Sequence, residues 1–473
     1  MCIRDSPRLL AVRISRPFLL CCSVLLAGLT GCGGGEPSRP NVVIVLTDTL
    51  RSDRLGCYGN TRGLTPYLDA LAEEGVRFEH AASHAPWTLP SIASLLTSLH
   101  PAEHGAGGRL PNFRALDSSV TTIAGVLDQA GWVTHAIGNV AFLNDWTGVL
   151  REFDSTDVEA PSSNVEMRSA ERTTDAALEW IDAHQGGASS ESPFFMFLHY
   201  FDPHAVYAPP QPFRQRFAGR LDQNDDSWVF GTRLQMMGLR SGTMTFEPPI
   251  IRRAEKLYDG EVAYLDSQVG RFVDELRARG LGDNTLLVIT SDHGEEFLDH
   301  DGFEHGHTLY DELTRIPLIL HYPSQLEPTV VRPRVAHVDV APTILALAGL
   351  ESHPQFVGRS LLEYLVNPDA PPRSVIAHGN TWTEAQTSWK SGNHKLILYP
   401  GGKAELFDLE ADPCEQDDLA SLRPELVQEL TSELDTLMAA MRALGRGEAA
   451  VLDAETQDSL RESGYAGGDE EED

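Results

Sequence analysis

Cysteine is scarce where it would build structure. The 473-residue chain has six, but Cys2, Cys21 and Cys22 fall inside an N-terminal targeting segment and Cys32 closes it. Only Cys57 and Cys414 are left, far apart in sequence, which excludes a disulfide-framework fold. The two could pair in an oxidising envelope or stay as separate thiols. Basic residues are few as well: 37 Lys and Arg against 69 Asp and Glu give a formal charge of -32. Such a field repels phosphate backbones and no basic patch offsets it, so no nucleic-acid partner is expected. Long apolar runs are missing too, since residues 18–29 are too short to span a bilayer comfortably. No internal repeat is evident, which speaks against a solenoid. What is present is ordinary for a globular protein, with 41% hydrophobic and 22% charged residues. The length suggests one large domain and a smaller one.

The N-terminus reads as a targeting segment. Arg8, Arg13 and Arg16 precede the apolar run, which ends in Leu29-Thr30-Gly31-Cys32 and resembles the lipobox of bacterial lipoproteins. The resemblance implies a lipid on Cys32, a membrane tether, and a bacterial envelope location, periplasmic or extracellular. An ordinary secretory signal would change the tether and not the compartment. Residues 1–6 look foreign to a signal sequence. The expected organisation is a signal segment over 1–32, a Gly-Pro-Ser linker over 33–39 and a catalytic domain over 40–373. A small α/β subdomain over 374–450 and an acidic tail over 451–473 follow, and residues 467–473 read as disordered.

Four apolar runs have the length and β-branched or aromatic content of buried strands, and each delivers polar residues at its end. NVVIVL (41–46) leads to Asp48, GWVTHAIG (131–138) to Asn139, and FFMFLHY (194–200) to Asp202 and His204. TLLVIT (285–290) leads into SDHGEEFLDHDGFEHGH (291–307). Open α/β sheets bind ligands at such strand ends. The last stretch combines carboxylates with four histidines, and His305 and His307, two apart, would share one side of an extended backbone. Oxygen and imidazole ligands together suit a divalent metal ion. Asp48 serves equally well as a helix cap or a ligand. Pro90 and Ser91 open a short amphipathic helix, so Thr88 lies beside a helix N-terminus with free N–H groups, an anion site. Helices are expected over 65–75, 175–184, 255–280, 339–350 and 424–444, with an irregular insertion over 205–250. The alternation predicts a doubly wound α/β sheet.

NVVIVLTD (41–48), WTLPS (87–91) followed by LLTS (95–98), and SDHGE (291–295) stand in the order seen in sulfatases. NHKLILY (393–399) and ELFDLEADP (405–413) resemble the C-terminal sulfatase subdomain. Over about residues 40–420 the chain resembles the sulfatase branch of the alkaline phosphatase superfamily. The resemblance implies a mixed, doubly wound sheet with a small C-terminal α/β subdomain. It also implies one divalent metal (Zn, Mn, Ca or Mg) held by Asp48, Asp292 and His293, with the nucleophile Thr88 touching it. The departures point one way. Sulfatases oxidise a Cys or Ser to formylglycine; Thr88 cannot give that aldehyde, because its β-carbon bears a methyl group. The supporting arginine is Ile92, and the second Asp of the usual metal pair is Thr49. The family's Lys and His fall at about Asn139 and Ala141, its later Lys among His305 to His307, and the Asn after the distal Asp is His293. The set resembles phosphodiesterase and phosphoethanolamine-transferase relatives.

The expected activity is therefore metal-dependent cleavage of sulfate or phosphate esters through Thr88, with His204 protonating the leaving group or binding an ester oxygen. The alternatives are a phosphodiesterase or phosphotransferase on envelope lipids or glycans, and a non-catalytic binding protein. Asp202, His204, His305 and His307 could instead make a second metal site, or Asp202, Asn139, His305 and His307 could bind substrate. The expected partner is a small-molecule, glycan or lipid ester.

Overall fold

The apolar run after residue 40 forms β1 (Asn41–Thr47), buried along its whole length. Its side chains alternate between two cores: Val42, Ile44 and Leu46 face one, Val43 and Val45 the other. The computed structural model describes residues 39–109, 112–161, 167–187, 191–219, 230–240, 243–441, 449–463 and 465. The signal segment with Cys32, the linker as far as residue 38, and the tail over 467–473 lie outside the described residues. No helix among those described is long and apolar enough to cross a membrane.

β1 lies inside an eight-stranded sheet with β2 (Val76–Phe78), β3 (Val133–Gly138), β4 (Ser155–Val158) and β5 (Phe194–Tyr200). β6 (Thr285–Ser291), β7 (Leu318–His321) and β8 (Thr329–Val331) complete it, in the order β8-β2-β7-β6-β1-β5-β3-β4. β1 pairs in parallel with β5 and β6, whereas β7 runs antiparallel to β6 and β2. The sheet is mixed and wound on both faces, as expected. On one face α1 (Pro66–Glu74), α4 (Ala170–Gly186) and α5 (Pro248–Ala278) bury Leu71, Ile181, Leu265 and Phe272. On the other, α2 (Thr88–Thr97), α3 (Ile123–Gln129) and α6 (Val340–Leu347) bury Leu95, Leu127 and Ile344. Each such side chain contributes about 1.5–3 kcal/mol through lost water contact.

The small subdomain is an antiparallel sheet of β9 (Val375–His378), β10 (Thr387–Ser391), β11 (His394–Leu398) and β12 (Ala404–Asp408), with α7 (Pro424–Ala440) packed on it. β10 is not apparent from its sequence, TSWKS; pairing on both edges makes it a strand.

Several expectations need correction. α4 starts at Ala170, because Ser169 caps it by accepting the Arg172 N–H. α5 starts at Pro248, a residue suited to a helix's first turn, so the insertion ends earlier than expected. The described part of that insertion is also not wholly irregular: it carries helices Phe213–Ala218 and Arg233–Arg240. The acidic tail expected from residue 451 instead forms α8 (Ala454–Glu462), capped by Asp453, and Tyr465 beyond it is buried. Of the two fates left open for Cys57, the structure has the free thiol, without a bridge to Cys414. Burial and the neighbouring Asp69 carboxylate push that thiol up, which keeps it protonated.

Candidate active site

Because β1, β5 and β6 run parallel, their carboxyl ends lie side by side. Asp48 follows β1, His199 sits near the end of β5, and Asp292 and His293 follow β6, all fully buried. One ligand atom from each of Asp48, Asp292 and His293 lies within 4.8 Å of the other two. His293 Nε2 is 3.8 Å from Asp48 Oδ1 and 3.3 Å from Asp292 Oδ2. Neither of those carboxylate oxygens has a hydrogen-bond partner. The Nδ1–H of His293 donates to the Gly294 carbonyl at 2.9 Å, which leaves the Nε2 lone pair facing the carboxylates. That is the tautomer a metal-binding imidazole needs. Burial pushes both carboxyl groups upward, and for Asp48 the charges of Asp292 and Glu295 add to it. A divalent cation would satisfy the two orphaned oxygens and offset the crowded charge. The residues fit one.

Thr88 is the first residue of α2, which begins without a side-chain cap. Its Oγ1 lies 3.3 Å from His293 Nε2 and 2.9 Å from the Tyr465 hydroxyl. α2 is held in register with β6 by Ser91, whose hydroxyl donates to the Asp292 carbonyl at 2.6 Å. His337 supports the same junction, with Nδ1 3.2 Å from Ser91 Oγ and Nε2–H donating to the Ser291 carbonyl. Arg51 fixes the loop after β6, donating to the Glu295 carbonyl and to Asp299.

His305 comes into the cluster, its ring centre 4.5 Å from that of His293 and 5.0 Å from that of His204. Its Nδ1–H donates to Glu295 at 2.9 Å, and its Nε2 is 3.0 Å from the Tyr465 hydroxyl. His204 donates from Nδ1 to the Ala205 carbonyl, while its buried Nε2 has no partner. His307 does not join it. Gly306 takes φ +79°, so the backbone is not extended there, and His307 turns away to Glu296 at 2.8 Å. Asp202 faces Glu261 of α5, and burial raises its carboxyl to about 6. Asn139 donates to the His199 carbonyl and to Thr173 Oγ1, bracing the end of β5. Among the described residues no second group of three such side chains gathers, so the second metal site envisaged from Asp202, His204, His305 and His307 does not form.

Three residues escape a reading of the sequence. His199 donates to Asp48 Oδ2 at 3.3 Å. Burial, with His204 and His293 nearby, lowers it to about 3, so it is neutral. It sits inside an apolar run and reads as core; only its place at a strand end hints otherwise. Arg240, from the insertion, forks onto Glu304 and lies over the Trp382 ring, 3.7 Å from its centre. Alongside burial, its charge acts on His204 and His305 and helps hold both imidazoles neutral. Tyr465 arrives from the stretch expected to be a tail. Trp382 itself is set by the subdomain loop after β9, where the Thr381 and Trp382 N–H groups donate to the Gly306 carbonyl.

The sulfatase family model matches residues 40–350, and a model of the C-terminal part of N-sulphoglucosamine sulphohydrolase matches residues 299–443. The uncharacterized sulfatase YidJ of Escherichia coli (strain K12) is 26% identical over 425 residues, covering 80% of this chain and 83% of its own. N-acetylglucosamine-6-O-sulfatase of Bacteroides thetaiotaomicron is 24% identical over 504 residues, covering 88% of this chain and 89% of its own. The solved structure of a 2-O GAG sulfatase superposes with a TM-score of 0.70 at 21% identity, covering 91% of this chain and 98% of that one. The first match alone takes in β1, α2 and β6 with every residue of the buried group that could hold a metal, and the chain belongs to the sulfatase family of ester hydrolases.

Proposed function

We propose that the protein hydrolyses sulfate esters, using Thr88 where sulfatases carry an oxidised Cys or Ser. The observation that carries this reading is the position of Thr88 Oγ1, 3.3 Å from His293 Nε2 and beside a set fitted to a divalent cation. Held by Asp48, Asp292 and His293, such a cation would supply Lewis-acid charge beside the hydroxyl. Thr88 Oγ1 attacks sulfur, the bond from sulfur to the alcohol oxygen breaks, and a sulfate ester forms on Thr88. The Thr88 proton passes to a neighbouring neutral imidazole, and the departing oxygen takes a proton within the same histidine group. His204, with its open Nε2, is the candidate for that exchange. Water then cleaves the ester, releasing sulfate and restoring the hydroxyl. The uncapped first turn of α2 contributes free N–H groups on the anion's side.

The names of the N-acetylglucosamine-6-O-sulfatase and the 2-O GAG sulfatase support a sulfated carbohydrate as substrate. The N-terminal segment supports an envelope location, with a lipid tether on Cys32. A second reading, a phosphodiester, is favoured by Thr88 itself, which cannot become formylglycine, and by histidines standing where the family has other groups. Turnover of an aryl sulfate and of an aryl phosphodiester, by wild type and by Thr88→Ala, tests both. Sulfate cleavage lowered about a thousandfold or more in the variant is expected. Full turnover in Thr88→Ala would sink the assignment, and faster phosphodiester cleavage that needs Thr88 would move it to the second reading.

A further inference from the structure

An ester cleaved at Thr88 must reach an atom that solvent does not touch. Thr88, Asp48, Asp292 and His293 are fully buried. What lies on Thr88 is Tyr465, with its hydroxyl 2.9 Å from Thr88 Oγ1 and 3.0 Å from His305 Nε2. Two oxygens that close leave no room for a sulfuryl or phosphoryl group between them. Tyr465 and a bound substrate therefore exclude each other. The phenol ring lies in an aromatic cage, edge-on to Phe142 at 4.6 Å, stacked on Trp382 at 5.7 Å and tilted against Trp87 at 6.2 Å. Trp382 also carries the Arg240 guanidinium over its ring, 3.7 Å from the centre, a cation that steadies the indole. The strap carrying Tyr465 is suited to leaving: α8 has nine residues, only Ser459 and Leu460 fully buried, and a helix that short is marginal alone.

We infer that the cage of Trp87, Phe142 and Trp382 is the subsite for the ring bearing the ester oxygen, and that Tyr465 is its resident occupant, displaced by substrate. The inference rests on Thr88 as the reacting group. It adds the residues that would hold the alcohol's ring, whose oxygen reaches Thr88 and His305 as the tyrosine's does. Small alkyl esters leave the cage empty and gain nothing from it.

The test uses the metal-loaded full chain and 4-nitrophenyl sulfate, or bis(4-nitrophenyl) phosphate if the second reading holds. With the occupant in place only a fraction of molecules can bind, so Tyr465→Ala should raise kcat/KM about tenfold through a lower KM. Tyr465→Phe keeps the ring but loses both hydrogen bonds, and should fall between. A lower kcat in both variants would make Tyr465 part of the machinery and overturn the inference. Trp382→Ala should change the preference for the 4-nitrophenyl over the methyl ester about tenfold, and an unchanged preference would remove the subsite. A third arm needs no turnover. Saturating 4-nitrophenol should speed amide hydrogen exchange across Ala454–Glu462 in the wild type. Unchanged exchange refutes displacement even if esters are cleaved; faster exchange without cleavage upholds the subsite and refutes the Thr88 reading instead.

Discussion

Gly306 separates two histidines that lie two apart. At its φ of +79° a β-carbon would stand 2.7 Å from Thr381 Cγ2 and 2.9 Å from Trp382 Nε1. Gly306→Ala should cost about 1–3 kcal/mol in urea unfolding and should lower turnover by pushing the Trp382 loop outward. His300 offers a pH test. Both ring nitrogens face acceptors, Glu312 at 2.7 Å and the Glu415 carbonyl at 2.9 Å, so the imidazolium is the matched form. Burial alone would lower it, but the hydrogen bond and charge of Glu312 raise it from 6.5 to about 9. A raised value contributes stability in full below the unfolded pKa, and the contribution is lost as pH rises through about 9. His300→Gln should therefore unfold earlier than wild type at about pH 6, and the gap should close by about pH 9.5. Asp48, Asp292 and His293 were legible because each follows an apolar run whose end can be counted, and Thr88 because Pro90 and Ser91 mark the helix start beside it. His199 was hidden inside such a run, and Tyr465 among acidic neighbours that carry no period.

At the scale of elements, the site depends on how α2 sits against the end of β6. Ser91 makes that junction, donating to the Asp292 carbonyl and lying within 3.2 Å of His337. Ser91→Ala would leave buried polar atoms unpaired at a cost of about 1–2 kcal/mol, and freeing α2 should lower kcat about tenfold with little change in KM. Denaturation together with steady-state kinetics checks both halves. β1, β3, β5 and β6 could be read from their apolar runs to within a residue or two, whereas β2, β4 and β8, three or four residues each, carry too short a run to be seen. The helix starts at Ala170 and Pro248 and the whole of β10 could not: caps and pairing partners decide them, and neither is a property of the window itself. Arg240 was lost for a related reason. Its helix lies in an insertion rich in Pro and Gly, where tertiary contacts, Glu304 and Trp382 among them, give the residue its place.

In the whole molecule, the large sheet and the small subdomain are joined by a buried ionic knot. Asp311 takes Lys390 at 2.6 Å and Lys395 at 2.9 Å, and Lys395 also reaches Glu415 at 2.6 Å. Burial would raise the Asp311 carboxyl, but the two lysines hold it well below its ordinary value. Asp311→Asn leaves two cations short of a partner and should cost about 3–5 kcal/mol near neutral pH. Because the folded value is depressed, that cost should fade only as pH drops through the acid range, which unfolding at graded pH would follow. The joint matters to the site, since Trp382 comes from the subdomain and stands over Gly306. The central strand has a consequence in time. β1 lies between β5 and β6, and Thr47 meets Thr290, 243 residues later in the chain. On a ribosome adding about 5–20 residues per second, the first strand waits roughly 12–50 s for its second neighbour. Through that interval an apolar edge stands unpaired on the nascent chain, so the yield of folded protein should depend on translation speed and on whatever shields β1 during the wait.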